Sequence, residues 1–317
     1  MSDQPINLEL VYLSRQKNYG SVELRVFQLA RIIEQHTKGA VSVKLVTFPS
    51  KWRIRQLIWA MTRPKGSVLL FSKSCLKVLK PSILALCKRR GCQTIMDYVD
   101  GDLDNARDLA PDIHLACSFE AKEELERIIS GKNVGVGENI GLLHHNTDTR
   151  LEHARVQPAE RLSPVYIGDL ANTVHGAELD GLVRYVPFER ATEISDVEKV
   201  IEDTNFHICV RNPNAKYKGN VRKPFTKGFL AAHVGAPVLA WRGDVEAHRF
   251  LGEDYPYYVD EPTPEAIVKV IDFAIQSFGG PVWARALDRM EVIRQQVSNQ
   301  QIAMSLVALL TQGEAQD

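Results

Sequence analysis

Residues 211–243, RNPNAKYKGNVRKPFTKGFLAAHVGAPVLAWRG, decide how this chain is read. A short apolar strand, 206–210, precedes them. The stretch opens as a polar, cationic loop carrying Arg211, Lys216, Lys218, Arg222, Lys223 and Lys227. Small residues then form a helix at 228–234, a Gly-Ala-Pro turn follows, and 237–241 is a second apolar strand. Strand, cationic loop, helix and strand is the layout of an anion site, because the free N–H groups and the dipole at a helix N-terminus favour phosphate. Pro224 suits a helix start, since its missing N–H costs little there. The alternative is a solvated loop that is merely basic.

Outward from this stretch, short apolar runs alternate with helical patterns in both directions. Toward the N-terminus, strands are expected at 8–13, 41–48, 67–71, 92–98 and 113–118. Helices are expected at 22–35, 51–61, 76–90 and 120–129. A polar segment, 151–162, reads as a linker. Beyond it strands are expected at 165–168 and 183–186, with a helix at 197–203 and Asp196 as its cap. A short strand at 257–259 and helical patterns at 264–276, 282–297 and 301–310 complete the chain. Alternation of this kind implies parallel sheets, buried on both faces, in two α/β domains. Each half reads as doubly wound, with ligands at the carboxyl ends of the strands. Two such domains in tandem predict an interdomain cleft.

Composition sets outer bounds. At 317 residues, two domains are expected. Formal charge is zero, yet residues 1–96 hold 17 Lys and Arg against 4 Asp and Glu, an excess of +13 that the rest (22 against 35) cancels. That asymmetry points the first part toward an anionic partner, a membrane surface or a nucleic acid. Five cysteines with no CxxC pair argue against a disulfide frame or zinc site and for a reducing compartment. The start MSDQPINLEL has neither a basic region nor an apolar one, so no signal peptide is expected. No run reaches the about 18 apolar residues of a membrane span.

Three segments carry a resemblance. Residues 19–47, YGSVELRVFQLARIIEQHTKGAVSVKLVT, are similar to the first loop and helix of GT-B glycosyltransferases. IGLLHHNTDTR (140–150) is similar to the end of that class's first domain, and KPFTKGFLAAHVGAPVLAW (223–241) resembles its donor-site helix, turn and strand. The resemblance implies an α/β fold of two Rossmann-like doubly wound domains facing a cleft. Its domains would be 1–150 on the acceptor side, 163–290 for the donor, and C-terminal helices at 291–317 packing back on the first. It implies transfer of a sugar, as a hexosyl or related transferase, from a nucleotide-diphosphate sugar to a glycan or lipid-linked acceptor in polysaccharide biosynthesis. It also implies that no metal or other cofactor is required. Carried over by residue, Lys227 stands where the class has its diphosphate-binding lysine and Arg211 at its arginine. Gly20 with Ser21, and Gly168, take the places of the phosphate-approaching loops. Lys216, Lys223 and Thr226 complete the expected donor set. The chain departs from the pattern at Arg222 and Leu230, which stand where the class has two glutamates. A degenerate nucleotide-sugar-binding protein of the same fold is therefore the alternative. A nucleic-acid-associated protein is the second, although no nucleic-acid motif occurs.

Two further features bear on chemistry. MDYVDGDLDN (96–105) follows a predicted strand, so Asp100 first and Asp97 second are candidates to orient or deprotonate an acceptor hydroxyl; a hydrated acidic turn is the alternative. The nine histidines form no metal pattern, and His233 reads as a packed polar residue. In the helix 51–65, Ile54, Leu57, Ile58 and Met61 share one face. Trp52 and Trp59 share the other, flanked by Arg53 and Arg55. With the first face in the core, the tryptophans and arginines would meet an anionic bilayer. The alternative buries both tryptophans. The expected location is cytoplasmic, peripheral on the inner face of the membrane.

Overall fold

The apolar runs fold as parallel strands, in the computed structural model that describes residues 4–131, 139–187 and 194–311. The chain divides into two units. The first comprises Met1–Asn146, Tyr217–Pro224 and Asn299–Asp317, the second Thr147–Lys216 and Phe225–Ser298. The boundary thus falls after Asn146. Residues Tyr217–Pro224 of the cationic loop belong to the first unit and not to the donor-side half in which the sequence places them.

In the first unit, β1 (Ile6–Tyr12), β2 (Val41–Thr47), β3 (Val68–Phe71), β4 (Gln93–Val99), β5 (Ile113–Ala116) and β6 (Asn139–Leu142) form a parallel sheet. Its order is β2-β1-β3-β4-β5-β6. Side chains alternate across it, as the period of two requires. Leu69 and Phe71 enter a core shared with α3 (Arg53–Met61), α4 (Pro81–Arg89) and α5 (Phe119–Ser130). Val68 and Leu70 enter another, shared with α2 (Leu29–His36). The helix leading into α2 starts as α1 (Gly20–Val22) and passes through a π-helical stretch, Glu23–Gln28. The wider turn carries Arg25, which is fully buried. Helix α4 begins at Pro81 and not at 76, because Lys80 is extended and proline takes the first helical position.

Leu57 packs against the core and Trp52 is exposed, as expected, but the rest of α3 is turned the other way. Trp59 and Gln56 are buried, while Ile54, Ile58 and Met61 are more than half exposed. Trp59 meets Phe48 edge-on with centroids 5.0 Å apart and lies 5.9 Å from Phe71. Large aromatic rings dominate core energetics, and these three pack edge-on or tilted against one another. Gln56 is tolerated inside because its amide donates to the Pro49 carbonyl at 2.9 Å. Trp59 is therefore a core residue and no membrane contact. Trp52, Arg53 and Arg55 are exposed, and Arg55 lies 5.2 Å over the Trp52 ring.

The second unit holds β7 (Pro164–Ile167), β8 (Arg184–Val186), β9 (Phe206–Ile208), β10 (Val238–Trp241) and β11 (Tyr258–Val259) in the order β11-β10-β9-β7-β8. Its helices are α6 (Ile194–Asp203), α7 (Thr226–Val234), α8 (Val245–Leu251), α9 (Pro264–Ser277) and α10 (Pro281–Gln296). Asp196 lies inside the first turn of α6, so it complements the dipole there and is not the cap. Helix α7 ends on Gly235 in the left-handed region, as the Gly-Ala-Pro turn foretold. The last helix, α11 (Asn299–Thr311), packs on α2 in the first unit. No helix among the described residues is long and apolar enough to cross a membrane.

Two buried histidines and one half-buried histidine couple this architecture to pH. His144 and His145 are pushed from 6.5 to about 4 by burial first and the Arg25 charge second. His207 is pushed to about 4 by burial alone. Between those values the unfolded chain takes up protons that the folded chain refuses. The stability from these residues is fully present above 6.5 and is lost as pH falls toward about 4. Urea midpoints should therefore be flat near neutrality and fall on mild acidification, less steeply in His207→Gln. An identical fall in that variant would remove His207 from the account.

Candidate functional site

In the second sheet the chain leaves β7 to one side for β8 and to the other for β9. The crevice at that reversal is where open α/β sheets bind ligands. The loops after β7, β9 and β10 carry Gly168, Arg211 and Asp244, and α7 starts downstream of β9. Gly168 has φ +143°, a conformation few side chains adopt. A Cβ there would stand 3.1 Å from Lys227 Cε and 3.2 Å from its Nζ. The absent side chain leaves room for the lysine, whose Nζ lies 5.1 Å over the Tyr166 ring. Tyr166 is held in turn by donating to the Asp169 carbonyl at 2.7 Å. Thr226 and Lys227 form the first turn of α7. That turn has no side-chain cap and no acidic residue, so its N–H groups and dipole face the same loops as a cation.

Arg211 is fixed by Asp244, with Nε 2.7 Å from Oδ2. Asp244 also caps α8, accepting from the Ala247 N–H at 3.1 Å. Thr173 bridges to Arg211 and donates to the Val210 carbonyl at 2.9 Å, tying the two loops together. Tyr166 and Asp244 were not legible as site residues. The first reads as strand core and the second as one more acid in a turn. Lys216 is exposed on the same loop.

Lys223 lies elsewhere. It belongs to the first unit, where its Nζ pairs with Asp100 Oδ2, while Lys73 Nζ lies 2.5 Å from Oδ1. The whole segment 217–224 docks there. Asn220 donates from its backbone to Asp102 Oδ1 at 3.0 Å and from its amide to Glu124 at 2.5 Å, and the Leu103 N–H donates to the Asn220 carbonyl at 2.9 Å. Gly219 makes the approach possible. Its φ is +91°, and a Cβ would fall 2.4 Å from the Asp102 carboxyl carbon. Arg222 lies 3.8 Å from Glu124.

This docking revises both acidic candidates. Burial opposes ionisation of Asp100, but Lys73 and Lys223 outweigh it and hold the carboxyl well below the usual range. A carboxylate so stabilised is a weak proton acceptor, so Asp100 is suited to clamping the loop rather than to general-base work. Asp97 is fully buried, 2.9 Å from Arg25 Nε, and accepts from the Val99 N–H at 3.3 Å. It touches no solvent and cannot reach an acceptor. Gly20 and Ser21 begin α1 after β1, with no heavy atom within 4 Å of a Cβ placed on Gly20. Among the described residues no group of three metal-ligating side chains could hold an ion.

No protein-family model and no curated protein matches the sequence. Solved structures do match. HepE of Anabaena in complex with UDP-glucose aligns over 97% of this chain and 100% of its own, with TM-score 0.64 and 10% identity. A glycosyltransferase from Rickettsia africae aligns over 99% and 100%, with TM-score 0.63 and 8% identity. Sucrose-phosphate synthase from Thermosynechococcus elongatus aligns over 98% and 100%, with TM-score 0.62 and 13% identity. At such identities the likeness speaks for the fold, which is the GT-B fold with two Rossmann-like units.

Proposed function

We propose that the protein is a glycosyltransferase that takes a sugar from a nucleotide-diphosphate donor. The observation that carries this reading is the cationic, uncapped start of α7 beside Gly168 at the reversal of the second sheet. Lys227 contributes a point charge and Arg211 a fork held by Asp244. Both would stabilise the negative charge that develops on the leaving diphosphate as the glycosidic bond breaks, without a metal. Thr226 adds a backbone N–H at the uncapped start of the helix and Lys216 an exposed cation; in the first unit, Gly20 with Ser21 would offer a backbone contact to phosphate. UDP-glucose in the structure of HepE supports a nucleotide sugar as the ligand class. The acceptor is read as a glycan or a lipid-linked glycan, reached from a peripheral position at an anionic membrane in polysaccharide biosynthesis.

The departures at Arg222 and Leu230 favour one alternative, a binding protein of the same fold that has lost turnover. A thermal-shift screen against UDP, GDP, CMP and dTDP sugars tests the common premise. One base should stabilise the protein in proportion to the logarithm of its concentration. Hydrolysis of that donor by the purified protein then separates enzyme from binder. A protein unmoved by every nucleotide tested would contradict both readings.

A further inference from the structure

From residue 35 to residue 96 the sequence has no Asp or Glu and 13 Lys and Arg. Some of these cations are satisfied from outside the stretch: Arg63 pairs with Glu9, Lys73 with Asp100 and Lys88 with Asp112. Others gather around a cavity of about 650 Å³ in the first unit. Ser50, Arg53, Gln56, Lys77, Lys80 and Ser82 line it, and no carboxylate does. Two helices open onto this cavity. Arg53 is the first residue of α3 and Lys80 the N-cap of α4; neither helix has a side-chain cap or an acid in its first turn. Two dipole ends and three cations thus converge where none of the lining residues supplies a counter-charge.

Beside the cavity stands the exposed strip of α3. At a helical turn of about 100° per residue, Ile54, Ile58 and Met61 fall within one narrow sector opposite the buried Gln56, Trp59 and Ala60. Arg53 and Arg55 fall on either side of that sector. The three side chains are 59%, 56% and 57% exposed, and the adjoining Trp52 is 68% exposed. An apolar strip bordered by cations matches the boundary between acyl chains and headgroups. A nucleic acid would satisfy the cations and leave the strip in water.

We propose that the cavity between the starts of α3 and α4 seats the phosphate of an anionic phospholipid, while Trp52, Ile54, Ile58 and Met61 enter the acyl boundary beside it. This deepens the peripheral-membrane part of the proposed function and stands independently of the donor site.

The test is co-sedimentation of the full chain with vesicles of phosphatidylglycerol or of phosphatidylcholine. The parent should bind the anionic vesicles and ignore the neutral ones, with the Trp52 emission shifting to the blue; Trp52→Phe should abolish that shift. Lys77→Gln with Lys80→Gln should weaken binding about thirtyfold at low salt. Ile58→Ser with Met61→Ser should leave low-salt capture but remove the part that survives high salt. All four positions lie outside the buried core, so these variants should unfold as the parent does. Equal binding to both vesicle types, parental binding by both double variants, or capture by single-stranded RNA or inorganic phosphate without vesicle binding would each overturn the proposal.

Discussion

Replacing Arg25 by Met should destabilise the first unit by about 3–5 kcal/mol, the range for breaking a buried ion pair from one side. Three groups depend on that guanidinium. Asp97 accepts from Nε at 2.9 Å, and Nη1 donates to the carbonyls of Leu143 and His144 at 3.2 and 2.9 Å. Asp97 and Leu143 are buried and His144 half-buried, so removal strands a buried charge and at least one buried carbonyl. The residue also ties elements distant in sequence, since it links the π-helical turn after β1 to the ends of β4 and β6. Urea unfolding followed through a probe in the first unit should show the midpoint falling with little change in slope. Arg25→Met with Asp97→Leu should recover much of the loss, because no charge is then stranded. A single variant as stable as the parent would show that Asp97 takes up a proton or water at little cost.

Much of this fold was legible because the strands are short, apolar and evenly spaced. The runs around β3 and β4 fall within a residue or two of their observed bounds. What could not be read locally was which side of an amphipathic segment wins the core. In α3 both faces are apolar enough to be buried. The choice fell to Phe48 and Phe71, aromatic partners that sequence spacing does not place beside Trp59. The acidic turn failed for a related reason. Asp97 and Asp100 look alike in sequence, but their partners Arg25, Lys73 and Lys223 lie 72, 27 and 123 residues away. Long-range pairing is what makes one a core strut and the other a clamp. The cationic loop reads in sequence as one anion site, yet it divides. Lys227 stays with its helix, whereas Lys223 is carried to the first unit by the turn at Gly219. The cavity at the starts of α3 and α4 is not readable from sequence, because its cations come from two segments that only the fold brings together.

Lys227→Ala should weaken binding of the preferred nucleotide diphosphate by about 1.5–3 kcal/mol, a loss of roughly tenfold to more than a hundredfold, as for a hydrogen bond to a charged group. The lysine is set over Tyr166 and beside Gly168, so its loss removes a positioned charge and not a wandering one. Gly168→Ala probes the same position from the other side. The new Cβ would press on Lys227 Cε at 3.1 Å, and the lysine is the part able to yield. The φ of +143° adds strain of about 1–3 kcal/mol for a residue other than glycine. This variant should therefore lose both stability and affinity, while Lys227→Ala loses affinity with its melting temperature nearly unchanged. Lys223→Ala is the internal contrast. Its ammonium is committed to Asp100 in the first unit, so donor affinity should stay at the parental value while the docked segment loosens. Calorimetric titration of the three variants decides the matter. If Lys223→Ala loses affinity and Lys227→Ala does not, the diphosphate lies on the docked segment and the reading of α7 as the phosphate helix is wrong.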